Sequence, residues 1–391
     1  MFSPATIQQF QQLKTPFYYY DIALLERTLA AAAKASKPYN FHVHYAFKAN
    51  TNAEILTLIN QYGFGADCVS GGEVQRAIDS GFTTDKIVFA GVGKSDDEIN
   101  LALQHDIFCF NAESVAELEV LNELAAKAGK TARVALRINP NVNANTHKYI
   151  TTGLEENKFG INIWEIDTVI DLLKTLPNVE LIGLHFHIGS QITDLSVFKN
   201  LCMRVNELNN YFRDKRIDLK VLNVGGGLGV NYHEPDTQAI PDFEAYFSLF
   251  NQFLEPYKGQ EIHFELGRAM VAQCGSLITK VLYIKNGIKT NFAIVDAGMT
   301  ELIRPALYQA YHKIESISSG GEATEKYDVV GPICESSDCF GKAVSLPLTK
   351  RGDLIAIRTT GAYGEVMASN YNLREKVPVV YSNSVEVVKA K

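Results

Sequence analysis

A (β/α)₈ barrel followed by a mostly-β domain is the fold this sequence predicts. Three observations lead there. Short β-branched or aromatic runs alternate with helical patterns from His42 to Leu266. Polar and glycine residues collect just behind those runs. Past Gly275 the alternation gives way to strands joined by polar turns.

The expected barrel strands are His42–Phe47, Gly65–Val69, Lys86–Ala90, Ile107–Phe110, Arg133–Ile138, Leu181–His187, Lys220–Val224 and Glu261–Leu266. Helix starts are marked by Ser followed three residues later by Glu, in SGGE at Ser70–Glu73 and SDDE at Ser95–Glu98. Asn111 is a candidate cap for the helix in NAESVAELEVLNEL. Eight strand–helix units within roughly 240 residues match the usual barrel length of about 250; a doubly wound open sheet is the competitor. GSLITKVLYIKNGIKTNFAIVDAG, KYDVVGPIC and GDLIAIRTTGAYG read as strands of the second domain, with TPFYYYD near the N-terminus as another. The expected boundaries are 24–273 for the barrel and 1–23 with 274–391 for the β domain.

A net charge of −7 argues against nucleic acid or an anionic membrane as partner. The six cysteines lack CxxC spacing, so neither a zinc site nor a disulfide framework is expected. The N-terminus MFSPATIQQFQQLK lacks the pattern of a signal peptide, and no apolar run reaches about 18 residues. A cytoplasmic location is expected.

A barrel of this kind carries its active site behind the carboxyl ends of its strands. Those positions hold Lys48, Asp67, Asn111, Arg137 with Asn139, His187 with Ser190, the glycines 225–227, and Glu265 with Gly267 and Arg268. A strand-end lysine by itself is ordinarily a solvated surface residue. A glycine run by itself is ordinarily a tight turn, and Glu73 reads as a capping residue. His185 and His187 share a strand face, but no acid close in sequence completes a metal site, so no metal is expected. For Glu265 the alternative is a structural salt bridge. Their concentration at one end changes the balance. VLNVGGGLGV, Val221–Val230, offers backbone N–H groups to an anion without Cβ interference, and Gly267–Arg268 could add more. A lysine able to form an imine, a phosphate cradle, a carboxylate for a pyridine nitrogen and a histidine to stack on a ring suit pyridoxal phosphate.

The motifs YAFKAN, HFHIGSQ, GGGLG, ELGRAMVAQCG, RPALYQAYH, GPICESSD and GAYGEVMASNYN run nearly end to end. Through them the chain resembles the diaminopimelate decarboxylase family, within the fold-type III pyridoxal-phosphate enzymes. The resemblance implies that Lys48 binds the cofactor as an imine, His187 stacks on its ring and Glu265 pairs with its ring nitrogen. Gly225, Gly226, Gly227, Gly267 and Arg268 would surround the phosphate, and Tyr363 would reach the cofactor from the second domain. It further implies a homodimer in which Cys334 and Glu335 enter the partner's active site and Asp338 pairs with Lys158 across the interface.

The implied reaction is decarboxylation of meso-2,6-diaminopimelate at its D-configured centre, giving L-lysine, the last step of lysine biosynthesis. Cys334 is the expected proton donor to Cα, with Lys48 the alternative. Arg304 and Tyr308, four apart in RPALY, suit the distal carboxylate, with Arg268 a second donor and Glu335 a partner for the distal ammonium. For Arg304 alone, a surface ion pair is the competing reading. A decarboxylase of ornithine, lysine or carboxynorspermidine would lack the Arg304/Tyr308 pair, and a regulatory relative would have lost Lys48 or Cys334. A racemase would keep Lys48 without CESSD. Leu266 departs from the proline usual in that family, as does NLREKVP after SNY.

Overall fold

The structure is a computed structural model and describes residues 2–142 and 158–383. The chain folds as two compact units: Leu29–Gly229 with Asp242–Met270, and the chain up to Thr28 with Val230–Pro241 and everything described from Val271 onward. Val230–Pro241 therefore interrupts the continuous barrel segment expected at 24–273. Its Asn231 and Gln238 carbonyls both accept from the Gln273 side-chain amide, which fastens the excursion to the second unit.

Among the described residues, eight parallel strands close into a barrel: His42–Ala46, Gly65–Cys68, Ile87–Phe89, Cys109–Ala112, Ala132–Arg137, Val179–His185, Val221–Asn223 and Glu261–Leu266. Closure is made by the first and eighth strands, with His42 opposite His263 and His44 opposite Glu265. An open sheet would have left those two edges unpaired.

The helices bury one stripe each. Ser196–Asp214 turns Val197, Phe198, Leu201, Cys202, Val205, Leu208 and Phe212 inward at helical spacing. On the eighth strand, Phe264 packs edge-on against Tyr246, Phe247 and Phe250 of the helix Phe243–Phe253. Because side chains alternate along a strand, anchoring Phe264 outward turns Glu265 inward.

The fourth strand lies two residues later than expected. The Ile107 N–H bonds the Ala102 carbonyl, so Ile107 finishes the preceding helix instead of starting the strand. Asn111 is consequently inside the strand, not a helix cap. The cap is Ser114, whose hydroxyl accepts the Glu117 N–H at 3.2 Å. Ser95 and Glu98 form the expected reciprocal box. Ser70 accepts the Glu73 N–H, but the Glu73 carboxylate turns to the Val69 N–H.

The second unit is a β-sheet ordered Ile314–Ser316, Leu354–Arg358, Gly275–Asn286, Asn291–Val295, Thr324–Val330 and Cys339–Pro347. Phe17–Tyr20, the strand expected from TPFYYYD, pairs antiparallel with Gly275–Asn286 and parallel with Val379–Tyr381. Phe10, Phe17, Tyr19, Ile278, Leu354, Ala356 and Val380 form a core on this sheet. No helix of the described residues is long and apolar enough to cross a membrane.

The glycine run after the seventh strand is dictated first by packing. A Cβ on Gly226 would lie 1.9 Å from the Glu265 carbonyl oxygen, and one on Gly225 would lie 2.2 Å from that of Phe186. Gly225 also has φ of 72°. Gly226→Ala should therefore destabilise the protein by about 3 kcal/mol in urea melts. Gly72→Ala, whose Cβ would find only the Ser70 hydroxyl at 3.7 Å, should stay within about 1 kcal/mol of the parent.

Candidate active site

The first strand ends at Ala46, and a 3₁₀ turn, Phe47–Ala49, presents Lys48. Phe47 and Ala49 are fully buried, which fixes the turn while the Lys48 side chain keeps 38% exposure. The amine stands 3.7 Å from Asp67 at the end of the second strand.

Glu265 is the best-supported group in the barrel. One carboxylate oxygen accepts from the amides of Asn111 at 3.0 Å and Asn223 at 2.7 Å; the other accepts from His185 Nε2 at 2.8 Å. Burial alone would raise its pKa, but His185, through field and hydrogen bond, and then Lys48 outweigh that and hold the carboxyl well below the usual range. Asp67 is its opposite. Burial, and then the Glu265 charge, push its carboxyl well up. Neither of its oxygens has a hydrogen-bond partner among the described residues. Of two neighbouring buried carboxylates, the one with three donors ionises and the other keeps its proton.

His187 stands two residues beyond its strand and is half-buried. Burial, then Lys48 and Arg137, lower its pKa well below normal, so the ring is neutral. Its Nδ1 accepts the Gly226 N–H at 3.5 Å, while the Gly225 N–H is taken by Asn223 Oδ1 at 2.9 Å. Two amides of the expected phosphate cradle thus serve their own neighbours. Arg268 donates through Nε and Nη2 to the Ser190 hydroxyl, joining the eighth strand end to the sixth. Gly267 leaves room there, since a Cβ would meet Ala46 and Ala49 at 3.0 and 3.1 Å.

Arg137 is buried in an ion pair with Glu113 at 2.7 Å, its guanidinium over the Phe159 ring. Glu113 also accepts the Gly91 and Gly160 N–H groups, so Arg137 belongs to a loop-binding node that the sequence reading did not foresee. His185 was weighed only as half of a metal pair lacking an acid. That acid is Glu265, remote in sequence and adjacent in space. Asn223, two residues ahead of the glycine run, carried a face-sharing signal that was read for the glycines alone.

Of the remaining expected residues, all but Lys158 lie in the β unit. Arg304–Tyr308 is helical, which is the condition for its two end residues, four apart, to share a face. Arg304 is buried, not a surface ion pair: Nη1 donates to the Tyr232 hydroxyl at 3.0 Å and to His312 Nε2 at 2.9 Å. His312 Nδ1 donates to the Arg358 carbonyl, which makes Nε2 an acceptor. Tyr363 has φ of 57°, a left-handed conformation unusual for an aromatic residue. Cys334 and Glu335 are exposed; Glu335 accepts the Tyr371 hydroxyl at 2.8 Å. Asp338 is buried beneath them and accepts the Met299 and Ile333 N–H groups. Lys158 is exposed, its ammonium 5.0 Å from the Phe159 ring centre.

A reachable primary amine, a neutral imidazole and a buried anion converging at a barrel mouth fit an aromatic aldehyde cofactor with a basic ring nitrogen, and that set marks a pyridoxal-phosphate enzyme. The pyridoxal-binding domain of the pyridoxal-dependent decarboxylases matches residues 22–272. Diaminopimelate decarboxylase of Bacteroides thetaiotaomicron is 60% identical over 370 residues, covering 94% of this chain and 96% of that one. A Helicobacter pylori diaminopimelate decarboxylase structure complexed with L-lysine superposes with a TM-score of 0.90 at 41% identity, covering 97% and 94% of the two chains. The M. jannaschii enzyme in co-complex with L-lysine gives 0.88 at 36% identity, covering 98% and 90%. The chain belongs to the diaminopimelate decarboxylase family of pyridoxal-dependent decarboxylases.

The two carboxylates have opposite pH signatures. Glu265, with its pKa depressed, contributes stability that is present above the ordinary carboxylate value and lost as pH falls toward its folded value. Asp67, with its pKa raised, contributes stability below pH about 4 that is lost as pH rises toward its folded value. Asp67→Asn should therefore gain on wild type in the apoprotein as pH rises from about 4 to 7. The check is the difference in Tm across that range; a constant difference would mean that Asp67 titrates normally.

Proposed function

We propose that this chain decarboxylates meso-2,6-diaminopimelate to L-lysine and CO₂, and that Arg304 selects the substrate by its distal carboxylate. The observation carrying this reading is how Arg304 is held. Tyr232 and His312 accept hydrogen bonds from its guanidinium and hold it in a fixed orientation in a buried place. A buried, oriented cation suits a carboxylate and penalises an ornithine-like substrate that would leave it unmatched.

Lys48 Nζ would hold pyridoxal phosphate covalently, with His187 against the ring face and Glu265 at the ring nitrogen. Gly225–Gly227, Ser190, Gly267 and Arg268 would lie around the phosphate, with Asp67, Arg137 and Tyr363 completing the surroundings. When bound, the cofactor supplies an electron sink for the pair released as the α-carboxylate leaves. Glu265 keeps that sink effective by remaining anionic beside the ring-nitrogen proton, and His185, Asn111 and Asn223 hold it in that state. A neutral His187 adds no positive charge over the ring. The Cys334 thiol delivers the proton to Cα, with Lys48 Nζ the alternative donor. Tyr308 and Arg268 join Arg304 at the substrate, and Glu335 receives the distal ammonium.

The exposure of Cys334 and Glu335 supports a homodimer in which they act in the partner's site. Beside them, Tyr371 and Leu373 leave 48% and 96% of their surface exposed, an apolar patch that a second copy would cover. Asp338 shapes this loop through its two backbone acceptances. Pairing with Lys158 of the second copy would use its remaining lone pairs.

Lysine formation from meso-diaminopimelate by the pyridoxal-phosphate-loaded protein, with ornithine alongside, tests the reading. Lysine from the first and no product from the second is expected; turnover of ornithine alone would overturn the substrate. Arg304→Ala should keep bound cofactor by absorbance and lose roughly 10²–10³-fold in kcat/KM; an unchanged value removes Arg304 from the site. Cys334→Ala should lower kcat by about 10²-fold or more with little change in KM.

A further inference from the structure

At the end of the barrel opposite Lys48, the closing strands place a second group of titratable side chains that the proposed reaction does not use. His42 opens the first strand, and Glu261 and His263 lie at the start of the eighth. His42 and His263 are paired across the seam. Side chains two apart share a face, so Glu261 and His263 continue the interior column that Glu265 heads.

The hydrogen bonds there fix where the protons sit. The Lys86 carbonyl can only accept, so His44 Nδ1, 3.0 Å away, is the donor. With its hydrogen on Nδ1, a neutral His44 ring turns a lone pair on Nε2 toward His263. His263 Nδ1, 2.8 Å from that lone pair, must therefore carry the hydrogen. A neutral His263 with hydrogen on Nδ1 turns a second lone pair, on Nε2, toward Glu261 Oε2 at 3.2 Å. Two acceptors then face each other.

His42 brings a third ligand-type atom. Its ring stacks on His263 with centroids 4.7 Å apart and planes 18° from parallel. Its buried Nε2 has no hydrogen-bond partner among the described residues. One ligand atom from each of His42, Glu261 and His263 lies within 4.8 Å of the other two. Phe108 stacks on His263 at 5.2 Å and 5°, so the central ring is fixed by neighbours while the Glu261 side chain, 48% exposed, remains able to swing.

We propose that His42, Glu261 and His263 form a binding site for a divalent first-row transition ion, with Zn²⁺ as the reference case, at the amino-terminal floor of the barrel. Two imidazole nitrogens and a carboxylate are the donor set such ions take, and water completes the shell from the exposed Glu261 side. His44 supplies the outer hydrogen bond that fixes the tautomer of a ligating histidine. The ion would be a clasp between the first and last barrel strands, separate from the catalytic mouth.

The test is titration of chelator-treated holoenzyme with Zn²⁺ by calorimetry, with Co²⁺ absorption as a coordination signature. His42→Gln and Glu261→Gln are the variants, because His42 Nε2 makes no hydrogen bond to lose and Glu261 is exposed. Circular dichroism and the metal-free Tm control for folding. The expected result is one Zn²⁺ per chain, a rise in Tm on binding, and at least a tenfold weaker Kd in each variant. Absence of saturable binding, or an affinity unchanged in either variant, would overturn the site.

Discussion

The state of one buried carboxylate organises the barrel interior. Glu265 is anionic because three donors, from the fourth, sixth and seventh strands, point at it. A lone buried charge would be too costly to keep, so these strand ends must hold their register together. The constraint spreads from there. Gly226 must be glycine for the seventh strand end to approach the eighth this closely, and Gly225 for it to approach the end of the sixth. Phe264 must pack outward for Glu265 to face inward. Burial, and then the Glu265 charge, push the Asp67 carboxyl well up.

The same contrast explains how one barrel mouth keeps an amine, a neutral imidazole and an anion side by side. Lys48 sits on a turn whose neighbours are buried, so it can be reached while its backbone stays fixed. His187 is kept neutral by burial and by the cations near it. In the β unit, Arg304 receives the treatment Glu265 receives in the barrel: a charge oriented by uncharged dipoles. Tyr232, His312 and the Arg358 carbonyl form that chain of support.

Much of this was legible in the sequence, because strand runs and their polar ends are local signals. Lys48, Asp67, His187 and Glu265 could be picked out by position alone, and RPALY gave the Arg304–Tyr308 spacing. Contacts between distant segments were not legible. His185 meets Glu265 across 80 residues and Tyr232 meets Arg304 across 72, and no periodicity encodes either. Asn111 misled because cap preference is local, whereas the Ile107–Ala102 bond that shifts the strand depends on how the preceding helix ends. The glycine run was read as a cradle; its first requirement is the room it leaves for two carbonyl oxygens. The histidines of the barrel floor were passed over for the same reason. His42 and His263 become neighbours only when the barrel closes.

The sheet of the β unit has a consequence for how the chain is made. Phe17–Tyr20 lies between a strand from the middle of the chain and one from near its end, Val379–Tyr381. Just beyond that pairing, the Ile22 N–H reaches the Ser382 hydroxyl across 360 residues. During synthesis the aromatic strand therefore emerges long before either strand it pairs with. Tyr18 and Tyr20, both fully buried in the finished sheet, wait for partners that lie more than 250 residues downstream on both edges. Its native pairing is therefore wholly long-range, and until those partners are made its backbone edges and aromatic side chains are open to wrong pairing.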